Sequence, residues 1–125
     1  MRVYKNRWFA RFAVKERIKD EMLCEAVNRA NSGLVDADLG GGVIKQRVAR
    51  RGQGRSGGYR TFILFKVGHR AVFAFGFAKN TMENISMDDL EDLRKVAKLT
   101  LAYSDSQITS LLDIHELIEV DCHGG

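Results

Sequence analysis

The chain has 125 residues, of which 45% are hydrophobic and 29% are charged, a balance typical of one globular domain and not of a disordered chain. No apolar run approaches the roughly 20 residues that a transmembrane helix needs, and we expect no signal peptide because the N-terminus lacks a continuous apolar stretch. The only cysteines are Cys24 and Cys122, so we expect free thiols in a cytoplasmic protein and not a disulfide scaffold.

The N-terminal third predicts a short strand followed by two helices. Residues 2–5 can form the strand, and Asn6 is a suitable N-cap for the first helix, as Asp20 is for the second. Apolar residues then recur at helical spacing: Trp8, Phe9, Phe12 and Ala13 in the first helix, and Leu23, Val27 and Ala30 in the second. Gly33 follows as a typical C′ residue, and Cys24, beside the apolar stripe, is expected to pack in the core.

The middle of the chain predicts three strands. Residues 43–49 alternate, which places Lys45, Arg47 and Ala49 on one face and the intervening residues on the other. A polar loop is predicted over residues 50–58, and a largely apolar strand over 59–67. Gly68 and His69 then form a two-residue hairpin turn, and the apolar run 71–78 predicts a strand that is buried on both faces.

Two more helices and an edge strand complete the predicted fold. Ser86 is a suitable N-cap for the first of these helices, and Ser104 with Gln107 forms a capping box for the second. Residues 117–120 can form a terminal edge strand. This order of elements predicts an α+β domain, an antiparallel β-sheet with two N-terminal helices and C-terminal helices packed on it. We expect one domain over residues 1–125, in which 104–125 form a C-terminal helical extension.

The charge distribution is uneven along the chain. Residues 39–82 contain nine Lys or Arg and no Asp or Glu, whereas residues 83–125 contain three Lys or Arg and ten Asp or Glu. Scattered cations that merely solubilise a sheet are one interpretation, but so long a run without acids is unusual for a mixed surface. A polyanion-binding surface explains it better, and we predict RNA as the ligand. The nine cations are Lys45, Arg47, Arg50, Arg51, Arg55, Arg60, Lys66, Arg70 and Lys79.

Other motifs in this region do not predict chemistry. Residues 52–57 match the dinucleotide pattern G-x-G-x-x-G, but a predicted strand follows them where that motif requires a helix. Residues 54–58 match G-x-S-x-G and fail for the same reason. The three histidines and two cysteines have no recurring ligand spacing. We therefore predict neither a metal nor a cofactor.

Several of these segments together resemble the RelE/ParE toxin superfamily, in particular its HigB-like branch. The resemblance covers Arg2 to about Tyr103, and its most specific parts are GLVDADLGGG (33–42), SGGYR (56–60) and GFAKN (76–80). It implies a RelE-like fold and a toxin of a type II toxin–antitoxin system. The implied partner is a cognate antitoxin, expected to be a helix-turn-helix protein, with contact to DNA only through the antitoxin complex.

The resemblance also implies an activity, which is cleavage of mRNA on the ribosome without a metal. The ribose 2′-hydroxyl attacks the adjacent phosphate, and a 2′,3′-cyclic phosphate and a 5′-hydroxyl result. Matching positions imply catalytic roles for Arg60, Lys45 and Arg47. RNA-binding roles are predicted for Arg50, Arg51, Arg55, Tyr59, Lys79 and Asn80. Asn80 departs from the RelE pattern, which has arginine there, and the tyrosine expected shortly afterwards is absent from residues 82–86.

Two other functions fit the same sequence. A non-enzymatic toxin of the ParE type would inhibit DNA gyrase by binding, and a supercoiling assay separates it from a ribonuclease. An inactive relative would keep the fold and bind RNA or an antitoxin. Growth arrest on expression, relieved by the neighbouring gene's product, would exclude that third hypothesis.

Overall fold

The computed structural model describes residues 1–50, 54–79 and 84–122, and of residues 54–56 it describes the backbone alone. None of the described helices is long and apolar enough to cross a membrane. In chain order the elements are β1 (Arg2–Asn6), α1 (Arg7–Glu16), α2 (Asp20–Asn31), β2 (Ala37–Asp38), β3 (Val43–Arg50), β4 (Gly54–Lys66), β5 (Arg70–Ala78), α3 (Met87–Thr100), α4 (Asp105–Asp113) and β6 (Leu117–Glu119).

The strands form a single sheet of six, in the order β2-β3-β4-β5-β1-β6. Every neighbouring pair is antiparallel except β1 and β5, which run parallel. A parallel pair needs a long crossover connection, and here the connection from β1 to β5 contains both N-terminal helices and the strands β2, β3 and β4. The predicted α+β class is confirmed, and the sheet is mixed because of this one pair.

Helices cover both faces of the sheet, but they cover them unequally. On one face α1 and α2 enclose a core that includes Phe9, Leu23 and Ile63, all fully buried. On the other face α3 and α4 pack over a second core around Val43 and Leu64. Val43 is the first residue of β3, so this second layer of helices covers the start of that strand. The same face of the sheet extends past the helices toward the end of β3.

The predicted helix caps are largely confirmed because capping is local chemistry. The side chain of Asn6 accepts a hydrogen bond from the Phe9 N–H, and that of Ser86 accepts one from the Asp89 N–H. Ser104 and Gln107 form both hydrogen bonds of a capping box. The prediction for α2 is wrong by one residue: its N-cap is Lys19, which makes no side-chain capping bond. Gly33 follows α2 with φ +92°, the left-handed conformation expected at C′.

The carboxylate of Asp20 is used elsewhere. It lies 3.3 Å from the Lys5 ammonium and accepts a hydrogen bond from the Asp121 N–H at 2.9 Å. Both contacts tie the two ends of the chain to the start of α2. The predicted terminal strand is present as β6, which pairs with β1, and the next residue, Val120, is buried in the core.

The expectation of free thiols is wrong, because Cys24 and Cys122 form a disulfide. The bond joins α2 to the chain just beyond β6, and the two cysteines are 98 residues apart in sequence. Spacing alone could not reveal the pair, since the two positions become neighbours only after β6 has joined the sheet beside β1. Cys24 is buried as predicted, but as half of a cross-link and not as a packed thiol.

Two connections differ in length from their predictions: the loop between β3 and β4 is shorter, and the turn between β4 and β5 is longer. The polar loop over residues 50–58 is largely strand, because β4 begins at Gly54 and pairs with Arg50 of β3. The hairpin between β4 and β5 has a three-residue connection, residues 67–69, in place of the predicted two-residue turn. Gly68 has φ +69° there, so glycine supplies the left-handed conformation that the turn requires.

Candidate functional site

Three cations share the part of the sheet face that extends beyond α3 and α4. Lys45 and Arg47 lie two residues apart on β3, and Arg60 of β4 is the direct cross-strand partner of Arg47. Cross-strand partners point to the same face, with Cβ atoms about 5 Å apart, and residues i and i+2 are about 7 Å apart along a strand. Arg47 is exposed, and the other two are half-buried. We call Lys45, Arg47 and Arg60 the open cationic face.

The arrangement of the two arginines is electrostatically unfavourable. Like charges placed directly opposite one another destabilise a sheet. Burial lowers the pKa of Arg60 below its ordinary value, and the positive charge of Arg47 lowers it further. A phosphate bound between the two guanidinium groups would relieve both effects, since an opposite charge favours the ionised form. The open cationic face is therefore suited to binding an anion.

Asp36 is a nearby acid that lies outside the acid-free run and was not predicted to belong to the site. Its charge raises the pKa of Arg60, although less than burial and Arg47 lower it. The carboxylate accepts a hydrogen bond from the Arg47 N–H at 2.7 Å and lies 3.7 Å from the Arg29 guanidinium. These contacts hold Asp36 at the backbone of β3. Asp36 lies within the GLVDADLGGG segment, and this was the sequence feature that could have identified it as part of the site.

Gly58 allows the strands to approach closely just before Arg60. A Cβ atom at Gly58 would lie 2.1 Å from the Val48 carbonyl oxygen and 2.8 Å from the Arg50 nitrogen. The pairing of β3 with β4 shifts register between Val48 and Arg50, so this close approach coincides with a bulge. Bulges frequently re-aim side chains beside functional sites. Gly58 therefore allows β3 and β4 to approach closely beside the Arg47–Arg60 pair.

Aromatic rings continue from this face toward α1. Phe62 pairs with Lys45 across β3 and β4, and its ring centroid is 5.9 Å from that of Phe75 on β5. The Trp8 ring lies 4.8 Å from that of Phe75 and is 40% exposed. Trp8 was predicted as a core residue. It does pack on neighbouring rings, yet it also presents an exposed ring surface on which a nucleobase could stack.

A family model described as RelE toxin of the RelE/RelB toxin–antitoxin system matches residues 1–120. The chain belongs to the RelE toxin family. No curated protein matches the chain in a sequence comparison. Membership of the RelE family makes it a toxin of a toxin–antitoxin system with a cognate antitoxin as partner, and it accounts for the resemblance of the GLVDADLGGG, SGGYR and GFAKN segments.

Two residues predicted to bind RNA in this RelE toxin lie on the other side of the sheet. Tyr59 is buried against α1, its ring meets Phe12 edge-on, and its hydroxyl donates to the Glu16 carbonyl oxygen at 3.2 Å. The Arg50 guanidinium lies 5.9 Å from the Tyr59 ring centroid. A buried ring cannot stack on a base, so the predicted RNA contact of Tyr59 does not fit its place in the core. Arg50 is separated from the open cationic face by the sheet.

Lys79 remains at the same end of the sheet as the open cationic face. It follows β5, its side chain is exposed, and its N–H donates to the Gly58 carbonyl oxygen at 3.1 Å. Arg51, Asn80 and the side chain of Arg55 lie outside the described residues. Near the other end of the face, the Lys45 ammonium lies 3.5 Å from the Asn84 amide oxygen, a contact that was not predicted.

Arg70 does not belong to any RNA-binding surface, contrary to its place among the nine cations. Its side chain is buried beneath the connection between α3 and α4. It donates to the carbonyl oxygens of Thr100 at 2.8 Å and Tyr103 at 2.9 Å, and lies 3.6 Å from the Asp105 carboxylate. These bonds join β5 to the last carbonyl group of α3 and to the connection that follows it, so Arg70 has a structural role. Within the described residues, no three His, Cys, Asp or Glu side chains form a cluster suited to a metal ion.

Proposed function

We propose that this RelE toxin is a ribosome-dependent mRNA endonuclease that cleaves by metal-independent transesterification. The observation that supports this most is the cross-strand pairing of Arg47 with Arg60 on the open face of the sheet. Two guanidinium groups opposed in this way suit a phosphodiester, because each can donate two parallel hydrogen bonds to phosphate oxygens. The depressed pKa of Arg60 is consistent with a site that is completed by an anion.

In the proposed reaction the 2′-hydroxyl oxygen forms a bond to phosphorus while the bond from phosphorus to the 5′-oxygen breaks. Negative charge grows on the non-bridging oxygens in the transition state, where Arg60 and Arg47 would stabilise it. A proton must leave the 2′-hydroxyl, and one must reach the departing 5′-oxygen. The Lys45 ammonium is the proposed donor to the departing 5′-oxygen, because an amine gives up its proton more readily than a guanidinium group. The proton of the 2′-hydroxyl passes to water.

Substrate binding would extend beyond the reacting phosphate. Lys79, exposed at the end of β5, would contact the RNA backbone. Arg51 and Arg55 would do so as members of the acid-free cationic run, and Asn80 as the residue that follows Lys79. Trp8 would provide a stacking surface for a base. The proposed partners are mRNA on the ribosome and an antitoxin of the helix-turn-helix type, and the HigB-like branch is proposed within the family because of the three matching segments.

The decisive test is incubation of the purified, antitoxin-free toxin with ribosomes programmed with a defined mRNA. We expect cleavage products with 2′,3′-cyclic phosphate and 5′-hydroxyl ends, which distinguish attack by the 2′-hydroxyl from hydrolysis by water. Intact mRNA together with inhibition of gyrase supercoiling by the same preparation would instead support the ParE-type function. Intact mRNA without gyrase inhibition would support the inactive relative.

A further inference from the structure

A second concave, cationic site lies on the side of the sheet that α1 and α2 cover. It has a volume of about 750 Å³ and is formed where the turn between α1 and α2 faces the ends of β3 and β4. Tyr59 and Met22 contribute apolar surface to its wall. Its charged lining residues are Lys15, Glu16, Arg17, Lys19 and Arg50.

The charge of this pocket is strongly one-sided. Four cations line it with a single carboxylate, that of Glu16. Across residues 1–50, 54–79 and 84–122, no carboxylate lies within 4.0 Å of the charged nitrogens of Lys15, Arg17, Lys19 or Arg50. Elsewhere in the protein, cations such as Arg2, Arg7 and Arg29 do form such ion pairs. A concave site with several unpaired cations concentrates anions at its mouth.

The backbone at the centre of the pocket is also unusual. Arg17 has φ +57° and ψ +40°, the left-handed conformation, at the C-cap of α1. Glycine is the residue favoured there, because a Cβ atom crowds the backbone in this conformation. The chain has 12 glycines and uses several of them at positive φ, yet this position holds an arginine. Residues kept in costly conformations concentrate at functional sites, and here the position sets a cation in the wall of the pocket.

We propose that this pocket is a second RNA-binding site, which holds phosphate groups of the RNA backbone independently of the open cationic face. The proposal rests on the proposed function in taking RNA as the polyanion. Arg17, Lys19 and Lys15 contact the phosphates, and Arg50 is held for the same contact by its place over the Tyr59 ring. Tyr59 and Arg60 are adjacent in β4 and point to opposite faces, so the two sites lie back to back at the same end of the sheet.

The test is the salt dependence of RNA binding, because each phosphate contact that a protein makes adds about 0.7–0.9 to the slope of log K against log salt. A structured RNA hairpin with 2′-O-methyl groups, which cannot undergo transesterification, is labelled with fluorescein and titrated by anisotropy. The test variant is Arg17→Gly combined with Lys19→Ala. The matched control is Lys95→Ala combined with Lys98→Ala, which removes the same charge from exposed positions on α3.

We expect the test variant, which lacks two cations, to lose roughly 1.4–1.8 from the slope and to bind about tenfold more weakly near 100 mM salt, while the control variant stays close to the wild type. Arg17→Gly removes the unfavourable conformation, so the test variant should unfold at no lower a temperature than the wild type. Weaker binding by a protein that is at least as stable cannot result from misfolding. Equal slopes for the test and control variants would overturn the proposal. So would polyglutamate that displaces the labelled hairpin as well as unlabelled RNA does, because the site would then have no preference for RNA.

The same titration separates this proposal from the proposed function. Because the probe cannot be cleaved and no ribosome is present, a protein that fails to cut mRNA can still show the slope change in the pocket variant. That result would support the second RNA-binding site and reject the proposed nuclease function. The opposite result is also informative. If cleavage depends on Arg60 but the slope is unchanged in the Arg17→Gly, Lys19→Ala variant, the second site is rejected and the proposed nuclease function is retained.

Discussion

Gly58 offers a direct test of how the site is built. Its φ is not in the left-handed region, so alanine can adopt the backbone conformation and the cost of Gly58→Ala is steric. The new Cβ would lie 2.1 Å from the Val48 carbonyl oxygen, whereas ordinary contact begins at 3.4 Å. The strands must therefore separate by the difference, about 1.3 Å. Overpacking of this kind typically costs about 1–3 kcal/mol, and we expect a value near the upper end because the obstacle is backbone.

The free energy of unfolding of Gly58→Ala is measured by urea titration and compared with that of Gly68→Ala. Gly68 has positive φ, but a Cβ added there would meet open space within 4 Å, so its substitution should cost only about 1 kcal/mol through conformation. Gly58→Ala should also reduce mRNA cleavage at temperatures where it is fully folded, since it displaces Arg60 relative to Arg47. A loss of stability no larger than that of Gly68→Ala would refute the reasoning.

Two further predictions concern residues whose roles are structural. Cys122→Ser should lower the free energy of unfolding by about 4 kcal/mol, because the disulfide spans 98 residues and long loops lose the most entropy on closure. Dithiothreitol should lower the free energy of unfolding of the wild type to the same value. A wild type whose stability is unaffected by the reductant would contradict the assignment of the disulfide. Arg70→Met should cost about 3 kcal/mol, since it removes the guanidinium donor from the carbonyl groups of Thr100 and Tyr103 and breaks the ion pair with Asp105. Its affinity for RNA should be unchanged when measured on folded protein, and weaker RNA binding at unchanged stability would show that Arg70 is a ligand-binding residue after all.

Features set by neighbouring residues were predictable from the sequence. Asn6, Ser86 and the Ser104–Gln107 pair cap helices through bonds to residues three positions away, so their types and spacing were sufficient. Strand alternation likewise placed Lys45 and Arg47 on one face. The segment containing Tyr59 and Arg60 identified the second strand of the site, although its start was hidden because glycines at 54, 57 and 58 suggested a loop.

Features that depend on distant pairing were not predictable in the same way. Arg70 and Arg60 are both arginines on apolar strands, and only the packing of α3 and α4 decides that one is buried and the other faces the open sheet. The pairing of Cys24 with Cys122 depends on β6 reaching the edge beside β1. Periodicity could not decide which side of the sheet Arg50 occupies, because the bulge after Val48 shifts the register.

The central claim is that Arg60 and its cross-strand partner form the phosphate-binding centre of a ribonuclease. Single-turnover cleavage of ribosome-bound mRNA by wild type and by Arg60→Ala tests it most directly, with Arg70→Met as the arginine control. We expect Arg60→Ala to lower the rate by a hundredfold or more, equivalent to about 3 kcal/mol of transition-state stabilisation, with its fold and antitoxin binding intact. Wild-type cleavage rates in folded Arg60→Ala would contradict the account.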